Sequence, residues 1–184
     1  TTPPTFNNAI NYLVNKANTT TAITSDPPDP SVVGQAVTVN YTVAPVAPGA
    51  GTPTGNVTVS DGTVSCTGTL PATSCILTPN FTTPGTKTLT ATYAGDSNFN
   101  GSTSIAEPHT VNQAATTTTI TSDNPDPSVV GQAVTVTYTV VVNAPGAGTP
   151  TGNVTVTDGT VSCTDTVAAG TCILTPDFTT AGAK

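Results

Sequence analysis

The chain has 184 residues, of which 35% are hydrophobic and 7% are charged, and its formal net charge is −7. With 3 Lys and Arg residues against 10 Asp and Glu, it lacks the basic clusters that neutralise phosphates, which excludes nucleic acid and disfavours anionic membrane surfaces as partners. No apolar run approaches the roughly 18 residues of a membrane-spanning helix, so we expect no membrane insertion.

Threonine and valine alternate along much of the chain, and 44 residues are Thr. β-Branched residues at a period of two are typical of half-buried strands. Turn signals such as Asp61-Gly62 and the Pro- and Gly-rich loop at residues 44–55 separate the alternating runs. Taken in chain order, the pattern predicts seven strands in the first half, at residues 19–25, 36–43, 57–59, 64–69, 75–78, 86–93 and 102–112. Seven short strands without helical periodicity predict an all-β fold, an antiparallel β-sandwich.

The same segment occurs twice, 97 residues apart. Ile23–Lys87 and Ile120–Lys184 align without a gap and are identical at 51 of 65 positions. A repeat of this length is a whole small domain with its own core. We therefore predict two tandem sandwiches, at residues 18–114 and 115–184, after a separate segment of residues 1–17. Most of the 14 differences lie in the loop at residues 44–46 and around the cysteine loop at residues 68–74.

The two copies stop at different points. The second ends at Lys184, the counterpart of Lys87, so it lacks the last two predicted strands of the first. In the leading segment, Val14-Asn15 matches Val111-Asn112 at the same offset, and the apolar residues share one parity, as in a strand. These apolar residues are Phe6, Ile10, Tyr12 and Val14. We predict donor-strand complementation, in which residues of roughly 5–16 insert into the incomplete second domain of another copy of the chain. The alternative is a long repeat protein cut at arbitrary points.

Four cysteines form two pairs with the same spacing. Cys66 and Cys75 lie nine residues apart, as do Cys163 and Cys172 at the same place in the second copy. The repeat favours pairing within each copy, which would contribute roughly 2–3 kcal/mol to stability. Two thiols per copy with no nearby His fall short of the four ligands of a structural zinc site. We therefore expect disulfides in an oxidising location, with no metal and no cofactor.

Three strings carry a resemblance to a known family: SVVGQAVTV, GTPTGNVTVSDG and LTATYAGDSNF, the last at residues 89–99. They are similar to the immunoglobulin-like repeats of long bacterial and archaeal surface proteins, over almost the whole chain. The resemblance implies two immunoglobulin-like sandwiches, the second lacking its C-terminal strands, which serve as spacer or fibre modules and contain no catalytic residues. The cysteine pair is not part of that pattern.

Six Asn-x-Ser/Thr triplets are candidate glycosylation sites. They begin at Asn18, Asn40, Asn56, Asn80, Asn100 and Asn153. Such sites would carry glycans in an archaeal or eukaryotic surface protein and be silent in most bacteria. In a chain so rich in Thr, chance alone produces many of these triplets, so their occupancy stays open.

Few other residues offer chemistry. Asp26, Asp29 and Asp96 lie in loops near predicted domain ends, where carboxylates can bind calcium, but the prolines of the DPPDP string explain the first two as a turn. The single histidine, His109, is expected to face solvent on the last strand. With one His no nucleophile and base pair can be assembled, so we expect no enzyme activity.

These features predict an extracellular, cell-surface structural subunit of a prokaryotic filament, assembled head to tail from copies of itself. The alternative is a spacer, stalk or ligand-binding segment of a long adhesin, in which the loops at residues 47–54 and 68–74 would contact a surface glycan or another partner. Aromatic platforms for sugar binding are scarce, with 4 Tyr, 4 Phe and no Trp.

Overall fold

The computed structural model describes residues 12–175 and 178–183. Within these ranges it contains fourteen β-strands and no helix, so the predicted all-β fold is confirmed. No helix among the described residues is long and apolar enough to cross a membrane.

Contacts divide the chain into two compact units. The described parts of Thr1–Asp29, Val37–Pro79 and Lys87–His109 form the first, and the described parts of Pro30–Ala36, Asn80–Thr86 and Thr110–Lys184 form the second. The domain boundaries expected from the repeat, at residues 18 and 115, stay predictions.

The first copy of the repeat contains nine strands, several of them very short. They are β1 (Thr19–Ser25), β2 (Ser31–Val32), β3 (Thr38–Pro45), β4 (Gly55–Ser60), β5 (Ser65–Leu70), β6 (Ser74–Ile76), β7 (Gly85–Tyr93), β8 (Ser102–Thr103) and β9 (Glu107–Asn112). One sheet has three strands in the order β1-β3-β6, and the other has the order β2-β9-β7-β4-β5, with β8 beside β7. Strands β4 and β7 pair antiparallel, whereas β2 and β9 are parallel.

The core of the first copy follows the alternation in the sequence. Val39 and Tyr41 of β3 are 0% and 1% exposed, and Asn40 between them and the flanking Thr38 and Thr42 are more exposed. Val57 and Val59 of β4 and Leu89 of β7 are all fully buried. Each strand therefore buries one face and keeps its hydroxyl-bearing face in water, as a sandwich requires.

The described residues of the second copy form five strands. They are β10 (Thr116–Asn124), β11 (Thr135–Val142), β12 (Asn153–Thr157), β13 (Ser162–Thr166) and β14 (Thr171–Ile173). One sheet has the order β10-β11-β14, and the other consists of β12 and β13 alone. Val134, Val136, Tyr138, Val161, Cys163, Cys172 and Leu174 form its buried core. The second copy thus repeats the first up to the counterpart of β6.

Two features of the first copy differ from the strand prediction. The region predicted as one strand at residues 102–112 contains two, because the chain leaves the sheet between β8 and β9. There the Ala91 N–H donates to Ser104 Oγ at 2.9 Å, and Ile105 is 85% exposed. Strand β2 was not predicted, since a two-residue strand has no periodicity and forms only because it pairs with Val111 and Asn112 of β9.

Candidate functional site

The second copy has an open sheet edge at β12. In the first copy the equivalent strand, β4, is paired on both sides, with β5 on one and β7 on the other. Among the described residues β12 pairs with β13 alone. A row of main-chain N–H and C=O groups on the other side of β12 is therefore free to accept a strand.

The inward valines of β12 are also less buried than their counterparts in β4. Val57 and Val59 of β4 are 0% exposed, because β7 covers them with Ala91 and Tyr93 opposite. Their counterparts Val154 and Val156 are only partly buried against the core. The second copy therefore has an uncovered apolar surface where the first has a strand.

The segment after β10 is uncovered as well. In the first copy Ser31 is fully buried, because β2 pairs with β9. In the second, residues 128–130 form no strand, and Val129 and Val130 are 70% and 56% exposed. Every residue of β10 is exposed, whereas Thr19 and Thr21 of β1 are buried.

A groove of about 480 Å³ in the second copy is lined by residues of β10 and β12, among them Ile120 and Val156. Val134, Val136, Val156, Leu174 and Phe178 contribute its apolar lining. The carboxylates of Asp123 and Asp126 stand at the same groove. A groove of this kind, beside an unpaired edge, is suited to an extended peptide with an apolar face.

The predicted donor segment of residues 5–16, the arm, is described only in part. Tyr12, Leu13 and Val14 are 84%, 82% and 79% exposed and lie outside any strand, while Phe6 and Ile10 lie outside the described residues. Pairing of the arm with another molecule stays a prediction.

The arm leaves the first copy at a defined point. Ala17 N–H donates to Asn98 O, and Asn100 N–H donates to Ala17 O, both at 2.8 Å. The Lys16 ammonium also donates to Asp96 O at 2.6 Å. The described residues just before Lys16, residues 12–15, are exposed next to this anchored point.

The loop that anchors the arm is organised by one carboxylate. Asp96 Oδ2 accepts hydrogen bonds from the Thr54 hydroxyl at 2.7 Å and the Thr54 N–H at 2.8 Å. Its Oδ1 accepts the N–H groups of Asn98 and Phe99 at 2.7 and 2.8 Å. These bonds, led by that from the Thr54 hydroxyl, hold the pKa of Asp96 well below its usual range. The AGDSNF string, residues 94–99, thus forms a loop whose backbone is held by the Asp96 carboxylate.

Each cysteine pair is joined in the structure, in the pairing within each copy that the spacing predicts. Cys66 on β5 bonds to Cys75 on β6, with Cα atoms 5.7 Å apart, and Cys163 bonds to Cys172 in the same way. Since β5 and β6 belong to different sheets, the bond ties the two layers together. In the second copy Cys163 lies directly opposite Val156, so the disulfide anchors β13, the strand that pairs with β12.

The prediction for His109 was wrong. The residue is 0% exposed, and its Nδ1 lies 2.8 Å from Asp26 Oδ2, which is also buried. An imidazole can take an inward position on a strand when a carboxylate supplies its hydrogen bond. Sequence reasoning missed the pair because 83 residues separate its members.

The candidate glycosylation sites differ in accessibility. Asn18, Asn56, Asn100 and Asn153 are exposed, whereas Asn40 and Asn80 are partly buried. The Asn80 side-chain amide already donates to Gly34 O at 2.7 Å. Occupancy stays a prediction, and Asn80 is among the less accessible of the six.

Two sheets whose strand neighbours are non-consecutive in the chain are typical of an immunoglobulin-like β-sandwich. Residues 23–112 match the family model of the bacterial Ig-like domain (group 3), which supports a bacterial Ig-like domain in the first copy. Comparisons with curated proteins and with solved structures found no match. Domains of this family are typically structural or adhesive and not enzymatic, and they suggest a surface or extracellular protein.

Proposed function

We propose that the chain is a structural subunit of an extracellular, prokaryotic surface fibre, in which molecules are joined head to tail by addition of a β-strand to the open edge of the second copy. The observation that carries this proposal is that, among the described residues, β12 pairs with β13 alone, beside a groove of about 480 Å³ with an apolar lining. The arm of another molecule is the donor, and the second copy is the acceptor.

The edge itself has none of the features that usually block strand addition. Natural edge strands are protected by charged residues, proline or bulges. Strand β12 has the sequence NVTVT, with no charge and no proline, and it pairs with β13 in a continuous register over five residues. An incoming strand would therefore meet an unobstructed edge with alternating valines beneath it.

Strand β7 of the first copy is a template for the position of the donor. Its inward residues lie opposite the two valines of β4, with Tyr93 opposite Val57 and Ala91 opposite Val59. In one register Ile10, Tyr12 and Val14 of the arm take the places of Leu89, Ala91 and Tyr93, so all three inward positions are apolar. A shift by two residues would place Asn8 in the fully buried position of Leu89, which costs free energy for an amide without a partner.

A second position for the arm is less favourable. The match of Val14-Asn15 to Val111-Asn112 would place the arm like β9, beside residues 128–129. The counterpart there, β2, pairs with β9 over two residues only, whereas β12 offers five. Because main-chain hydrogen bonds supply much of the affinity in strand addition, the β12 edge is the better acceptor.

A labelled peptide of residues 5–16 tests the proposal. The acceptor is the full chain with its own arm disabled by Ile10→Asp and Tyr12→Asp, and binding is followed by fluorescence anisotropy. We expect the peptide to bind this acceptor and a peptide with the same two substitutions not to bind, because each carboxylate would face the apolar groove.

Two acceptor variants locate the binding. Val156→Asp adds a charge to the groove and should abolish binding, whereas Val141→Asp, at a 58% exposed valine outside the groove, should leave it unchanged. Equal binding by both variants, or none by the parent acceptor, would refute strand addition at β12.

The second candidate function is a spacer or stalk within a longer surface protein, and the near-identity of the copies favours it. Identity at 51 of 65 positions, with loops as the main variable regions, suits a module repeated for reach. Intact-mass measurement and electron microscopy of native material distinguish the two. A single species much longer than this chain supports the spacer, and short subunits in regular fibres support head-to-tail assembly.

A further inference from the structure

The first copy contains a cluster of three potential metal-ligating side chains, of which two are buried and one is exposed. Asp26 follows β1, Asp29 lies in the turn before β2, and His109 is on β9. One ligand atom from each lies within 4.8 Å of the others. We propose that this cluster is a binding site for a divalent transition-metal cation of the Zn²⁺ type.

The local sequence explains why the two carboxylates converge on the histidine. Strand β1 ends at Ser25, and the Pro27 carbonyl accepts a hydrogen bond from Thr38 N–H at 2.9 Å, which holds the DPPDP turn against β3. The chain then forms β2 beside β9. Both aspartates are thereby brought to the point where His109 faces inward.

The ligand set suits a borderline cation. His109 Nδ1 lies 2.8 Å from Asp26 Oδ2 and 3.7 Å from Asp29 Oδ1. One imidazole nitrogen and two carboxylate oxygens are the ligand types of zinc sites that keep a fourth position for water. Calcium and magnesium prefer oxygen ligands alone, so the imidazole selects against them.

Charge and access are also favourable. The two carboxylates would balance the charge of a divalent cation. The side chains of His109 and Asp26 are 0% and 7% exposed, whereas that of Asp29 is 38% exposed. A cation would therefore enter the site beside Asp29. Its bonds to His109 Nδ1 and Asp26 would replace the hydrogen bond between these two side chains.

The second copy is an internal comparison. It has the two counterpart carboxylates, Asp123 and Asp126, but the chain contains only 1 His. Asp123 is exposed and lies within β10, whereas Asp26 is buried after the end of β1. The site therefore predicts one bound cation per chain, in the first copy.

The single histidine makes the test specific, because imidazole NMR signals can come only from His109. The full chain, stripped with a chelator, is titrated with Zn²⁺ while these signals and the binding isotherm are recorded. We expect one equivalent of Zn²⁺ to bind with a change in the His109 ring signals, and Ca²⁺ in the same range to leave them unchanged.

Variants separate this site from weak surface binding. Asp29→Asn removes one ligand but keeps the bond between His109 and Asp26, and it should weaken Zn²⁺ binding by at least about tenfold. Asp126→Asn, the same change in the second copy, should have no effect. Ring signals that do not move in excess Zn²⁺, or equal affinity in the two variants, would overturn the proposal. This site lies in the first copy, so the result does not depend on strand addition at β12.

Discussion

Truncation of equivalent valines in the two copies measures how open the second sandwich is. Val59 is 0% exposed beneath β7, and Val156, at the same place in β12, is only partly buried at the groove. Replacing Val by Ala removes two buried carbons, about 0.8 kcal/mol each in transfer free energy. A residual cavity adds to this, so Val59→Ala should lower the free energy of unfolding of the first copy by roughly 2–3 kcal/mol.

The expected loss in the second copy is smaller. Val156 already faces the groove on one side, and neighbouring side chains can shift into the space, so Val156→Ala should cost about 1 kcal/mol or less. Amide hydrogen exchange followed by NMR reports the opening free energy of each copy separately within the same chain. Saturation with the peptide of residues 5–16 should then increase the cost of Val156→Ala towards the value at Val59.

The comparison can fail in a clear way. If Val156→Ala destabilises the second copy without peptide as much as Val59→Ala destabilises the first, then the groove is already covered. The second copy would then have no open acceptor edge.

Two further predictions concern the differences between the copies and the corner loop. A Cβ at Gly68 would overlap Tyr41 Oη in the core. Gly68→Ala should therefore destabilise the first copy by about 1–3 kcal/mol, measured by urea unfolding. Asp165→Ala at the equivalent place in the second copy should have almost no effect on stability, because a side chain is already accommodated there. Unchanged stability of the Gly68 variant would mean that the Tyr41 ring can shift. The lowered pKa of Asp96 contributes stability that is present above its unfolded pKa of about 3.9 and lost as the pH falls below it. The urea midpoint of the parent chain should therefore fall more steeply in acid than that of Asp96→Asn, and parallel pH curves would contradict the role of the four bonds from Thr54, Asn98 and Phe99.

Much of the strand content could be predicted because it depends on neighbouring residues. The alternation in β3 and β7, the turn at Asp61-Gly62 and the loop before β4 all appear in the structure close to their expected places. Strand ends were less accurate, as at β3, which was predicted at residues 36–43 and observed at Thr38–Pro45. End positions depend on the partner strand and on loops that local alternation does not describe.

The candidate site was predictable only in outline. Comparison of the copies showed that the given sequence ends at the counterpart of Lys87, but it did not identify which strand has an open edge among the described residues. That depends on the sheet order, in which β7 lies between β9 and β4 although β5 and β6 precede it in the chain. The inward position of His109 could not be predicted for a similar reason, because its partner carboxylate, that of Asp26, is 83 residues away in the sequence.

The sequence by itself determined the number of copies, the class of fold and the pairing of the cysteines. Repetition is seen by comparing one segment with another, and alternation and short spacing are properties of residues close to one another in the chain. Only the tertiary structure decided that β12 has one partner within the described part of the chain, that Val156 lines a groove and that His109 contacts Asp26. These features depend on which distant strands become neighbours, and that is set by packing of the whole sandwich rather than by any local pattern.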